Sequence, residues 1–171
     1  GSFDVTVGPL INIWGFGPDK RPDNAPSNDL IQSKLSDIGS EKIELDREAH
    51  KVRLQSPLYI DLSAIAKGWA VDEIADLIEE QGYQSFMVEI GGEIRAQGKK
   101  PKNQPWRIAI ERPSFNIGQD VALIVELDQQ GVATSGNYRN YFEENGVRFS
   151  HTIDPNTGYP IKHNLASVTV I

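Results

Sequence analysis

Between Ser63 and Gly82 the apolar residues recur at helical spacing, and this constrains the fold more than any other feature of the chain. Ile65, Trp69, Val71, Ile74, Ala75, Leu77 and Ile78 mark the periodic segment, and Gly82 supplies the expected left-handed exit. A helix of that length must lay its apolar stripe on another layer. The layer is close at hand in the sequence. Phe86 to Ile90, the pair Gly91-Gly92, and Glu93 to Ala96 read as strand, tight turn and strand.

Other segments extend this pattern. Ser27 or Asn28 can cap a short helix carrying Leu30, Ile31, Leu35 and Ile38, ended by Gly39. Lys42 to Leu45 and Val52 to Leu54 read as a hairpin, and Trp106 to Glu111, Val121 to Leu127 and Val132 to Thr134 as further strands. Tyr138 to Phe142, Arg148 to His151 and Leu165 to Ile171 complete a strand-rich second half. Trp14 to Pro26 is rich in Gly, Pro and charge and reads as a loop. Antiparallel strands with a few helices on one side predict an α+β fold, with residues 1–171 as one domain.

Composition narrows the function. With 24 acidic against 17 basic side chains the net charge is −7, so no nucleic-acid partner is expected. No cysteine is present, which excludes disulfides and thiolate metal ligands. No apolar run approaches the roughly 18 residues of a spanning helix. Both ends read as cut. Phe3-Asp4-Val5 enters an apolar stretch without preamble, and Leu165 to Ile171 stops within a strand, so any signal or lipid anchor is expected upstream of Gly1.

Four segments can carry chemistry. In Ile60 to Asp72 a polar strand end runs into the start of the long helix, where free N–H groups and the helix dipole suit an anion such as a pyrophosphate. Lys67 sits in the first turn, where a cation opposes the dipole, so it calls for a nearby phosphate or carboxylate. A plainer reading has Asp61 or Ser63 capping the helix and Lys67 solvated. In Val88 to Ile94 the paired glycines allow close approach of a ligand or backbone, although Gly-Gly also serves ordinary hairpins.

The third segment joins Ala133 to Tyr138 with Ser150 to Ile161. Small hydroxyl residues beside Gly136 offer donors to a phosphate or a flavin edge, and His151 is one of 3 histidines. Asp154 to Gly158 also reads as a simple turn. The fourth is the opening, Gly1 to Leu10, followed by Trp14 and Phe16. These two aromatic rings could stack on a ligand but more commonly fill a core.

The series FDVTVGPL (3–10), WGFG (14–17), DLSAIAKGWAVD (61–72), EIGGEIRAQG (89–98), TSGNYRNYF (134–142) and SHTIDPNTGYPI (150–161) resembles the ApbE family of FAD:protein FMN transferases. The resemblance runs from Phe3 to the last residue. It implies a two-layer sheet-and-helix core related to the T-fold, and that roughly a quarter to a third of a family member lies beyond the two ends. By the same resemblance Ser2, Phe3 and Asp4 line the FAD site, Asp61 and Lys67 contact the dinucleotide, and Ile153 touches the flavin nucleotide. Ala64 would give its backbone carbonyl to Mg²⁺, a hard cation suited to oxygen donors. The family completes that shell from a later Asp-rich helix that lies beyond this sequence, so weak metal binding and slow or absent turnover are expected of this piece alone.

The implied reaction is attack by a Thr or Ser hydroxyl of an acceptor protein on the FMN-side phosphorus of FAD, with AMP leaving. His151, whose side chain ordinarily titrates near neutrality, is the candidate general base. An acceptor such as a flavin-bearing subunit of a membrane redox complex, and a lipid-anchored place on the periplasmic face of the bacterial inner membrane, follow from the resemblance alone. Three other readings stay open: an FAD pyrophosphatase, a flavin-binding module without chemistry, and a structural α+β domain.

Overall fold

A computed structural model describes residues 2–113 and 120–171. In chain order its elements are α1 Gly8–Ile13, α2 Asn28–Ser36, β1 Ile43–Asp46, β2 Lys51–Leu54, α3 Ser63–Glu80, β3 Phe86–Ile90, β4 Glu93–Gln97, β5 Trp106–Glu111, β6 Val121–Leu127, β7 Gln130–Gly136, β8 Tyr141–Glu144, β9 Val147–Ser150 and β10 Ser167–Val170. They fall into two compact units, one of residues 1–62 and 140–163, the other of residues 63–139 and 164–171.

The first unit is built around aromatic rings. α1 opens on Gly8-Pro9, where proline costs the first turn nothing, and it places Leu10 and Trp14 on one face. The apolar opening is thus a helix, an element its short sequence span does not reveal. α2 is capped by the Ser27 side chain, which accepts the Leu30 N–H. It ends at Ser36 rather than running to Gly39, which instead precedes a single 3₁₀ turn. Leu10, Trp14, Ile31, Ile38 and Ile153 form the buried core, with Phe142, Phe149 and Tyr159 packed against it. Phe142 and Phe149 reach it from the hairpin β8–β9 and stack with centroids 5.1 Å apart.

The second unit is a helix on a sheet. Its four strands run in the order β10-β7-β4-β3, every neighbour antiparallel. β3 and β4 are joined by the Gly91-Gly92 turn, whose residues both have positive φ (57° and 96°), as a two-residue hairpin requires. Pleating sends paired residues to the same face. Val88, opposite Arg95, faces α3, and Phe86 and Val88 pack with Val71 and Ala75 of that helix. Ile94 and Ala96 point to the other face, where Trp106, Ile108, Val125 and Leu127 of the β5–β6 hairpin join them and Val132.

The long helix forms where its periodicity predicts and exits at Gly82, but the stripe it buries is narrow. Val71 and Ala75 are buried, whereas Trp69 is 65% and Leu77 57% exposed. At 100° per residue both lie well around the helix from the Val71-Ala75 line. Among the described residues no helix is long and apolar enough to cross a membrane.

Candidate functional site

At the chain's opening, Asp4 is held by its neighbours. Its Oδ1 accepts the Thr6 N–H at 2.8 Å and the Thr6 hydroxyl at 2.6 Å, and its Oδ2 accepts the Ser40 N–H at 3.1 Å. Partial burial pushes its pKa upward, but these hydrogen bonds together outweigh that effect and leave the carboxyl below the usual range. The buried Thr6 hydroxyl accepts the Gly39 N–H at 2.7 Å, fastening the opening to the end of α2. The Asp61 N–H donates to the Val5 carbonyl at 2.7 Å, so the Asp4 and Asp61 segments lie side by side. Ser2 and Phe3 are exposed beside them, Phe3 with 57% of its surface open.

His151 follows β9 in the same unit and is half-buried. Its N–H and its Nδ1 both meet the Asn140 carbonyl, each at 3.1 Å, and the edge of the Phe16 ring lies 6.3 Å away between centroids. A carbonyl only accepts, so Nδ1 carries the proton and Nε2 presents a lone pair. Next along, Ile153 bridges Pro160, and flanking bonds run from Ile161 N–H to the Thr152 carbonyl and from Asp154 N–H to the Tyr159 carbonyl. This pattern turns the N–H and C=O of Ile153 to the opposite edge of the ribbon. Its side chain is core, 8% exposed, which leaves that backbone edge as the part able to meet a nucleotide.

Asp154 closes its own turn. Oδ1 accepts the Asn156 N–H at 2.9 Å, Oδ2 accepts the Thr157 hydroxyl at 3.2 Å, and the Asp154 carbonyl accepts the Gly158 N–H at 2.8 Å. The Asn156 backbone bond is the largest influence on its carboxyl; with the side-chain bonds it outweighs partial burial and lowers the pKa.

The second unit holds Ala64 and Lys67. The helix begins at Ser63, so Lys67 is its fifth residue and stands in the second turn rather than the first; its Nζ lies 2.6 Å from Glu93 Oε2 and donates to the Gly91 carbonyl at 3.0 Å. Glu93 Oε2 is buried and accepts no hydrogen bond among the described residues, so the ion pair with the ammonium is what compensates it there. The Gly91-Gly92 turn therefore serves both a hairpin and a lysine cradle, and Glu93 is a partner of the candidate Lys67 that motif reading did not single out. Ala64 is the second residue of α3, where helical geometry directs its carbonyl to the Gly68 N–H; a metal would share the oxygen's second lone pair. Among the described residues no cluster of three carboxylate or imidazole groups could hold an ion. The donors present do not by themselves make a Mg²⁺ site.

A groove of the first unit, about 550 Å³, lies elsewhere, lined by Asn12, Asp19, Lys20, Asp23, Ser27 and Leu30, and contains none of these candidates. Shallow and mixed in charge, it lacks the convergent donors that a diphosphate needs.

A mixed α+β chain of mostly antiparallel strands, with a lysine cradled at the mouth of its long helix, defines a class for which solved counterparts exist. The crystal structure of the Pseudomonas stutzeri flavinyl transferase ApbE in its apo form superposes with a TM-score of 0.85 at 46% identity, over 99% of this chain and 51% of that one. The flavin transferase ApbE from Vibrio cholerae gives 0.86 at 47%, over 99% and 53%. The FAD:protein FMN transferase of Haemophilus influenzae is 51% identical over 174 aligned positions, 100% of this chain and 50% of that protein. The ApbE family model matches residues 1–171, and the chain belongs to the ApbE family. It spans about half the length of the curated relatives it matches, so more of a family member lies outside it than the quarter to a third expected from the motifs.

Proposed function

We propose that the protein represented by this chain transfers the FMN half of FAD to a Thr or Ser hydroxyl of an acceptor protein. The observation that carries the reading is the tautomer of His151. The Asn140 carbonyl fixes the proton on Nδ1, so Nε2 is the basic atom and its lone pair can take the hydroxyl proton as the hydroxyl attacks. The new bond joins the acceptor oxygen to the FMN-side phosphorus. The bond to the bridging oxygen of the diphosphate breaks, and AMP leaves with that electron pair.

Lys67, at the N-terminal end of α3, supplies a fixed positive charge for the diphosphate, and the helix dipole acts in the same direction. Phe3 offers an exposed aromatic face and Ser2 an exposed hydroxyl beside the Asp4 turn. Asp4 shapes that turn, Asp61 borders it, and Ile153 offers its backbone edge. Mg²⁺ would neutralise diphosphate charge, with the Ala64 carbonyl as the ligand this chain contributes. The acceptor is read as a flavin-bearing subunit of a membrane redox complex, and the intact protein as a lipid-anchored enzyme on the periplasmic face of the inner membrane. Fractionation of cells carrying the intact gene checks the location.

The decisive experiment incubates the intact protein with FAD, Mg²⁺ and an acceptor bearing a target Thr or Ser. Flavin covalently attached to the acceptor, with one AMP per flavin, supports transfer. Free FMN with no labelled acceptor makes the protein a hydrolase, and unchanged FAD makes it a binding module.

A further inference from the structure

A lysine on a four-carbon stem is ordinarily mobile, and fixing one costs rotamer entropy. Lys67 is fixed in three ways. Its ammonium donates to the Gly91 carbonyl at 3.0 Å and contacts Glu93 Oε2 at 2.6 Å. Its stem also lies on the glycine turn: a Cβ built on Gly91 would stand 3.0 Å from Lys67 Cδ. The pair is unequal in exposure. The Lys67 side chain is 49% open, while that of Glu93 is 18% open with Oε2 buried. The carboxylate sits behind, and the ammonium stands toward solvent.

An ammonium has three N–H groups. One is committed to the Gly91 carbonyl and the charge is paired with Glu93, which leaves N–H capacity for a ligand near the start of the helix. Pre-ordering the cation removes an entropic cost that phosphate binding would otherwise carry.

We infer that Glu93 is a positioning residue for diphosphate recognition, acting through Lys67 without touching the ligand. The inference rests on the reading that Lys67 meets the diphosphate of FAD. It assigns the acidic residue after the Gly-Gly turn a part in substrate affinity, where the hairpin alone requires only the glycines.

The test is a double-mutant cycle on FAD affinity in the intact protein, read by flavin fluorescence and independent of turnover. Glu93→Gln keeps the shape and removes the charge. It is expected to weaken FAD binding roughly tenfold, within the usual coupling range of contacting residues. In a Lys67→Met background the same change should have no effect on FAD. Equal affinity in Glu93→Gln and wild type, or tighter binding, overturns the positioning role while leaving Lys67 as a diphosphate contact. Unchanged affinity in Lys67→Met alone overturns the Lys67 reading instead. If Glu93→Gln fails to fold, Glu93→Asp carries the test: its shorter reach should weaken FAD binding at an unaltered melting temperature, and unaltered affinity overturns the proposal.

Discussion

The Trp14 indole N–H donates to the Gly158 carbonyl at 2.8 Å, deep in the core of the first unit. It ties the end of α1 to the turn that follows the His151 motif. Gly158 has φ 77°, and a Cβ there would stand 2.6 Å from Ile31 Cγ2 and 3.3 Å from Leu10 Cδ2. Trp14→Phe leaves a buried carbonyl unpaired and opens a space, so a loss of roughly 2–4 kcal/mol is expected. Urea unfolding monitored by far-UV circular dichroism checks it.

Gly158→Ala tests the same junction from the other side. The substitution combines a left-handed backbone, costing roughly 1–2 kcal/mol, with a clash against Ile31. A melting temperature unchanged from wild type would show that the turn can shift to admit the methyl group.

His151→Ala in the intact protein should lower the rate of flavin transfer roughly 10²- to 10⁴-fold while FAD affinity holds. His151→Gln, which can still donate from an amide to Asn140 but cannot accept the hydroxyl proton, should be as slow. Single-turnover kinetics separate this from a binding defect.

Asp4 and Asp154 predict the acid limb of stability. Their carboxyls lie below the unfolded value, so the stability they contribute is present above the ordinary aspartate range and disappears as pH falls through their folded values. Denaturant midpoints should therefore fall on acidification below about pH 4. In an Asp4→Asn, Asp154→Asn double variant that acid dependence should flatten.

Arg95 sits among three acidic residues of α3, with its guanidinium 2.7 Å from Asp76, 3.4 Å from Asp72 and 3.8 Å from Glu79. All three carboxylates are more than half open to solvent. Arg95→Met should cost at most about 1 kcal/mol, shrinking in high salt. Urea titrations at low and high ionic strength measure it.

Some of this architecture was readable directly. The helix from Ser63 and the hairpin around Gly91-Gly92 depend on neighbours close in sequence, and both formed where their period and turn chemistry indicated. The β8–β9 strands lie a few residues from where alternation alone places them, and the hairpin closes on Asn145-Gly146 with φ 50° and 74°, a turn the strand pattern did not single out. α1 escaped because six residues give too few turns for a periodic signal.

The sequence by itself determined the family, the mixed class and the residue types at the candidate site, because recurring motifs and local periods are written in adjacent residues. Only the tertiary structure decided that Lys67 answers to Glu93, that Ile153 gives its side chain to the core, and that Asn140 sets the tautomer of His151. Each of these depends on which distant segments pack together, and burial and partner distance, unlike helical period, are properties of the folded chain.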